Sequence, residues 1–374
     1  GFVPLSNFSG TFNGNGKTLT IGYRGDAQQI GLFKRLSGTV RNLTVAGRFE
    51  SVRSDDSEIH LGAFAAETDN AAIENCTNRA EIVVADAADV TPRTMILSGF
   101  VGKAFNGVTL RNCRNTGNIS FSSPALYMIG GFVGAVQEDD GLYTIADCHN
   151  TADFDNAGSN SGWNFMGGIA GKTVSKQLVP GETSNYRLIV EECSSTGTIG
   201  IAGPSKVRAS GIVAQTQGAY RISGCTFSGA IESTDATKRD VVIGGIMAMA
   251  DKECVGLVEG CTFSGRISAA QAGANNFFGG IYGNNGGAAS VVNDCRTTAS
   301  AYVGCPIGKS VGMLAGRPNK KGFTVSNCRI AGTVTNKQGA AVVITADNLE
   351  DWMFAGYGTS VAVTLKNNGY NDGK

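Results

Sequence analysis

A cysteine returns along this chain at intervals of 32 to 45 residues, and a frame of other residues returns with it. The column is Cys76, Cys113, Cys148, Cys193, Cys225, Cys261, Cys295 and Cys328. Three residues before each stands an aliphatic side chain: Ile73, Leu110, Ile145, Val190, Ile222, Val258, Val292 and Val325. Four residues after each stands glycine or alanine: Ala80, Gly117, Ala152, Gly197, Gly229, Gly265, Ala299 and Gly332. Six after each stands an apolar residue: Ile82, Ile119, Phe154, Ile199, Ile231, Ile267, Ala301 and Val334. A ninth unit fits with Leu43 in the cysteine slot, flanked by Val40, Gly47 and Phe49. Fixed spacing within a unit and variable length between units mark short elements joined by loops and repeated along the chain.

A glycine motif precedes the cysteine in each unit, as in Gly31-Leu32-Phe33, Gly62-Ala63-Phe64, Gly99-Phe100-Val101-Gly102, Gly131-Phe132-Val133-Gly134 and Gly280-Ile281-Tyr282-Gly283. Each unit then holds three short strands: one on the glycine motif, one running into the cysteine and one after the small residue. Three strands in a unit of this length leave little room for a helix. Such a unit cannot bury its apolar face alone, so units must stack. Stacking in register makes parallel sheets with strands ~4.8 Å apart. The expected fold is all-β: a single-stranded right-handed parallel β-helix of about nine coils, its hand following that of parallel crossovers. Residues 1–30 are expected to form the N-terminal cap and first coil, 31–339 the repeats and 340–374 the C-terminal cap, because exposed end rungs are sticky edges. Asp347-Asn348-Leu349-Glu350 reads as a capping box opening one short helix.

The 53 glycines among 374 residues, about double ordinary usage, follow from this architecture. Apolar residues stand two before and one after the motif's glycine, as in Leu97 with Phe100 and Ile129 with Phe132. A straight strand cannot turn both to one face. A bend at pairs such as Gly130-Gly131 can. Lys+Arg and Asp+Glu number 31 each, and this balance argues against nucleic acid as a partner. No apolar run approaches the ~18 residues of a membrane span. The chain starts at Gly1, not a natural start, so the missing signal peptide carries no information on export.

The opening Phe8-Ser9-Gly10-Thr11-Phe12-Asn13-Gly14-Asn15-Gly16-Lys17-Thr18-Leu19-Thr20-Ile21, then Gly31-Leu32-Phe33 and Gly38-Thr39-Val40-Arg41-Asn42-Leu43, resembles GLUG-motif repeat proteins. The later Gly-Gly-Phe-Val-Gly and Ile-x-x-Cys elements extend the likeness along nearly the whole chain. The resemblance implies an exported bacterial protein of the cell surface or extracellular space. It also implies kinship with non-catalytic regions of immunoglobulin A1 peptidases. Peptidase activity does not follow. A metallopeptidase needs His-Glu-x-x-His, and neither His60 nor His149 begins one.

Ten cysteines in an exported chain raise disulfides, a redox pair or zinc as alternatives to a ladder of small buried thiols. Zinc pairs sit closer in sequence, and parallel side-chain vectors on stacked coils disfavour a disulfide. The ladder is therefore the reading for the eight; Cys254 and Cys305 lie outside it, and whether they pair is left open. His60 is expected packed or capping near the first coils, and His149 solvated. Gly16-Lys17-Thr18 and Gly171-Lys172-Thr173 lack a phosphate loop's earlier glycine, since Thr11 and Met166 stand there. Asp55-Asp56-Ser57-Glu58 and Glu138-Asp139-Asp140 read as solvated loops. Asp153 and Asp155 flank inward Phe154 and should point outward together. Tyr127, Trp163, Tyr186 and Tyr220 fall outside the apolar columns. Trp163 neighbours a Gly/Ser/Asn-rich connection and the long Lys172–Arg187 connection that contains Val179-Pro180-Gly181-Glu182. Trp163, Asp153, Asp155 and Tyr186 are the candidate ligand-binding residues. No catalytic residue, metal ligand or cofactor is assigned.

These readings converge on a non-catalytic surface or secreted module for adhesion to host glycans, mucins or proteins. Two alternatives stand beside it: a non-catalytic spacer arm of an immunoglobulin A1 peptidase-like protein, and a polysaccharide-cleaving β-helix enzyme.

Overall fold

The computed structural model describes residues 2–373 apart from 53–56, 85–93, 159, 175–185, 204–205, 235–239, 252–253, 271–275, 286–288, 306–310, 319–322, 336–338 and 355–362. It is 64% strand and 2% helix, with parallel strands stacked into a β-solenoid of about seven turns. Nine coils were expected. One sheet does hold nine strands in chain order, but its first and last, Gln29–Ile30 and Val311–Gly312, are two-residue fragments where the stack passes into its ends.

A central coil has five strand segments rather than three: Leu126–Gly130, Val133–Val136, Tyr143–Ala146, His149–Asn150 and Phe154–Asn156. The glycine motif divides one expected strand. A Cβ on Gly130 would lie 1.9 Å from the Val133 carbonyl oxygen, and the column holds only glycine or serine, as at Ser98 and Ser210. The small residue after the cysteine divides another, since a Cβ on Gly197 would lie 2.0 Å from Ala152 O.

The repeat frame becomes register. Val40, Ile73, Leu110, Ile145, Val190, Ile222, Val258, Val292 and Val325 pair in succession, all buried. The column after the cysteines also forms, with one correction. Ile267 pairs with Val303, not Ala301, because a turn closed by Ala301 N–H on Thr298 O inserts two residues. Phe64, Phe100 and Phe132 stack at 4.6 and 4.8 Å between centroids, about one coil spacing.

The cysteines form the expected ladder. All eight are buried thiols. Each Sγ lies 3.2–3.4 Å from the carbonyl oxygen two residues earlier. It lies 3.4–3.9 Å from the carbonyl of the aliphatic residue one coil back. One S–H is thus shared between two carbonyls of successive coils. Burial pushes the Cys76 thiol up to about 11, and Cys148 and Cys193 well above 9. The residue before each ladder position is left-handed: Asn42, Asn75, Asn112, Asp147, Glu192, Gly224, Gly260, Asp294, Asn327 and Asn367 have φ between 50° and 62°. Asn, Asp and Gly tolerate this conformation; glutamate does so poorly. Two residues after the cysteine, Asn78 donates to Asn115 and Asn115 to Asn150, both at 2.8 Å inside the core.

At one end of the stack Phe8 and Phe12 close on Phe33 at 5.0 and 6.0 Å. At the other end Ala341–Val343 pairs antiparallel with Thr333–Thr335. The helix Leu349–Met353 forms without the expected capping-box bond: Asn348 Oδ1 accepts from Thr345 N–H and Nδ2 donates to Val343 O instead. The carbonyls of Trp352 and Met353 accept the edge N–H groups of Met313 and Leu314. Thr364–Lys366 and Gly369–Tyr370 then resume the stack. Asn368 takes the cysteine slot there, donating to Val325 O at 3.0 Å.

Glu192 is the one glutamate in the left-handed column. Glu192→Asn should raise stability by up to about 1 kcal/mol in thermal unfolding. The same change at Glu191, in strand Leu188–Glu191, should give no gain.

Candidate functional site

The glycine bend creates a groove on the outside of the rod. Each coil turns one outward side chain toward it from the strand before the bend and another from the strand after. The first column runs His60, Ile96, Met128, Phe165, Arg208, Val242 and Phe277. The second runs Glu67, Lys103, Ala135, Lys172, Gln215, Met249 and Asn284. Partners in one coil are seven residues apart and meet across the bend. His60 Nδ1 lies 2.8 Å from Glu67 Oε1, Arg208 Nη1 donates to Gln215 Oε1, and Lys172 Nζ lies 5.5 Å from the Phe165 ring centre. Side chains flanking the bend touch on the solvent side, so the corner is concave outward.

Charge is distributed unevenly along this groove. At one end His60 lies between two carboxylates, with Nε2 2.6 Å from Glu58 and Nδ1 2.8 Å from Glu67. Glu58 also takes Lys103 at 2.8 Å, and Glu67 takes Gln29 at 2.6 Å. Burial opposes charge on His60, but the two carboxylates outweigh it and raise the imidazole above 6.5. The His60 hydrogen bond, with help from Lys103, drops Glu58 to about 2. Two carboxylates flanking the ring favour the protonated imidazole, the form in which both nitrogens donate. His60 is packed, as expected, but on the outer face of the coil. The expected frame equated Gly62 with Gly99, whereas Gly62 pairs with Ser98, which turns His60 outward beside Ile96.

In the middle, cations dominate. Arg208 lies 4.3 Å from the Trp163 ring and 5.7 Å from Phe165, so Phe165 carries both Arg208 and Lys172. Burial lowers Lys172, and the nearby Arg208 charge lowers it further. Burial lowers Arg208 to about 10, against the pull of Asp251 and Asp240. Gln215 links Arg208 to Asp251. A cavity of about 270 Å³ opens one coil away, lined by Glu58, Lys103, Met128, Ala135, Glu138 and Lys172 among others. Among the described residues no group of three or more His, Cys, Asp or Glu side chains is placed to hold a metal ion.

The four candidate binding residues do not share one strand. Trp163 opens the strand Trp163–Gly167 at the groove edge, beneath Arg208. Asp153 and Asp155 point outward on either side of buried Phe154, as expected. Asp153 Oδ1 accepts the Thr198 N–H of the next coil at 2.7 Å. Tyr186 precedes the strand Leu188–Glu191; its phenol is raised by burial, with Arg221 and Glu259 nearby. Tyr127 and Tyr220 are core residues, not outward aromatics. Tyr127 packs on Phe121 at 4.7 Å, and the Tyr220 hydroxyl meets Tyr282 and Ser290 at 2.9 Å. His149 Nδ1 lies 2.8 Å from Ser194 Oγ. Asp139 organises its loop, accepting from Asn106, Gly141 and the Tyr143 hydroxyl. Asp55, Asp56 and the 175–185 part of the long connection lie outside the described residues. Sequence reasoning missed Lys103, Lys172 and Arg208, whose columns cross two strands and mix residue types.

Comparison with protein-family models, with curated proteins and with solved structures finds no match in any of the three.

The histidine cluster has a defined pH window. His60, raised in the fold, stabilises fully below its unfolded value near 6.5 and loses this as pH rises through its folded value. Glu58, lowered, stabilises above 4.5 and loses this as pH falls toward 2. The stability difference between the native protein and His60→Leu should therefore peak between pH 4.5 and 6.5 and shrink on both sides. A difference flat from pH 3 to 9 contradicts the assignment.

Proposed function

We propose that this chain is a non-catalytic recognition module of an exported bacterial surface protein, holding an extended glycan or protein ligand along the groove beside the glycine bend. The supporting observation is the groove's middle section. Trp163, Phe165, Lys172 and Arg208 are gathered on the outer face, where the stacked core does not call for them. Flat rings beside cations and amides suit a sugar chain, whose rings offer both apolar faces and hydroxyls. A groove running along the stack suits a linear ligand, since each coil adds a position at regular spacing along it. The GLUG resemblance supports the surface setting.

One observation favours a second reading, cleavage of an acidic polysaccharide. Lys172 is a lysine with a depressed pKa in the same groove. It could take the proton beside a uronate carboxylate as the glycosidic C–O bond breaks, the C=C bond forms and solvent protonates the departing oxygen.

The test is an array of host and plant glycans, mucins and immunoglobulin A1 probed with the native protein and Trp163→Ala. Selective binding lost in the variant is the expected result. Unsaturated product absorbing in the ultraviolet would favour the second reading. Silence across the array would overturn both and leave a spacer role.

A further inference from the structure

We propose that the cavity over Ala135 is a seat for one anionic group of an acidic polysaccharide, held between Lys103 and Lys172. This rests on the recognition reading and names its ligand class. Ala135 pairs with Lys103 in the coil before and Lys172 in the coil after. A small side chain thus stands between two lysines whose backbones are roughly 10 Å apart, two strand spacings. The gap it leaves is the cavity, with both lysines and Ala135 among its lining residues. An anion above Ala135 lies between the two lysines, with Glu58 (already on Lys103) and Glu138 also bordering the cavity.

The two lysines are differently engaged. Lys103 is bound to Glu58 at 2.8 Å. Lys172 lies on the Phe165 ring, which it shares with Arg208. Among the described residues no carboxylate lies within ion-pair distance of Lys172. Two cations sharing one ring repel each other, and an anion on their solvent side relieves that repulsion. An anion over Ala135 meets this pair from the Lys172 side, since Arg208 does not line the cavity.

The remaining lining selects a sugar over other polyanions. Glu138 and Gln137 also border the cavity, offering acceptors to hydroxyl groups. Phosphodiester chains have few hydroxyls to give. The coil spacing is close to the length of one pyranose ring. A chain laid along the rod would therefore present successive rings to successive coils, with a uronate or sulfate group over Ala135.

The experiment is calorimetric titration of the native protein with oligogalacturonate and chondroitin sulfate oligomers, with neutral dextran oligomers and single-stranded DNA as comparisons. Lys172→Gln should weaken acidic oligosaccharide binding about tenfold, the loss of one charge-assisted hydrogen bond. Ala135→Glu, which fills and charges the seat, should abolish it. The second column already holds a glutamate at Glu67, and circular dichroism and melting temperature would check that both variants fold. Acidic oligomers bound equally by native protein and both folded variants would overturn the seat but leave the recognition reading standing. Neutral or protein ligands bound in place of acidic ones would do the same. Equal affinity for DNA would replace the sugar-specific seat with general polyanion binding. No binding of any array member or oligomer would overturn the seat and the recognition reading together.

Discussion

Everything in this molecule depends on hydrogen bonds between one coil and the next at a left-handed corner. The N–H following each cysteine donates to the cysteine carbonyl one coil back: Arg114 to Cys76, His149 to Cys113, Ser194 to Cys148, and so on to Gly369 and Cys328, at 2.8–3.0 Å. The left-handed residue just before each cysteine turns the chain into place for this bond. The thiol then fills the small space inside the corner and shares its hydrogen between two coils. Larger groups take the slot only in the first and last coils, as Leu43 and Asn368, and a one-residue slip would turn each inward column outward. Asn368, in the cysteine slot of the resumed stack, keeps the same bond to the preceding aliphatic carbonyl with an amide.

From this corner the other features follow. Register brings the aliphatic columns together, and the Asn78–Asn115–Asn150 ladder is satisfied only because its members sit one coil apart. Where that column changes to Phe227 and Phe263, glycine makes room: a Cβ on Gly211 would lie 2.1 Å from the Phe227 ring. The same register aligns the outward columns. Lys103, Ala135 and Lys172 become neighbours although 69 residues of chain separate the two lysines. Fold and candidate site are thus consequences of one spacing.

Much of the fold was legible because a solenoid writes each contact as a repeat. The cysteine, aliphatic and small-residue columns needed only alignment. The left-handed column was equally present as Asn, Asp and Gly before most cysteines, and went unread because those residues also mark ordinary loops. The buried Asn ladder was hidden by the habit of assigning amides to surfaces. His60 was misplaced by one residue because glycine stands one step earlier in its motif than in the following coils. Tyr127 looked outward because no other unit carries tyrosine in its slot, and Tyr220 because its one counterpart, Tyr143, stands two coils away with Leu188 between them. The groove was least legible. Its pairs lie seven residues apart across a bend, a separation that matches neither strand nor helix periodicity, and their chemistry varies from coil to coil. Trp163 was found through its loop; Arg208, which lies on it, was not.

The central claim is that eight cysteines form an internal ladder of thiols, and peptide-mapped alkylation tests it most directly. Native protein would be treated with iodoacetamide, then unfolded without reductant and treated with a second, mass-distinguishable alkylating agent. The account expects Cys76, Cys113, Cys148, Cys193, Cys225, Cys261, Cys295 and Cys328 to carry only the second label. First label on these residues in the native state would contradict the account, as would a disulfide between any two of them.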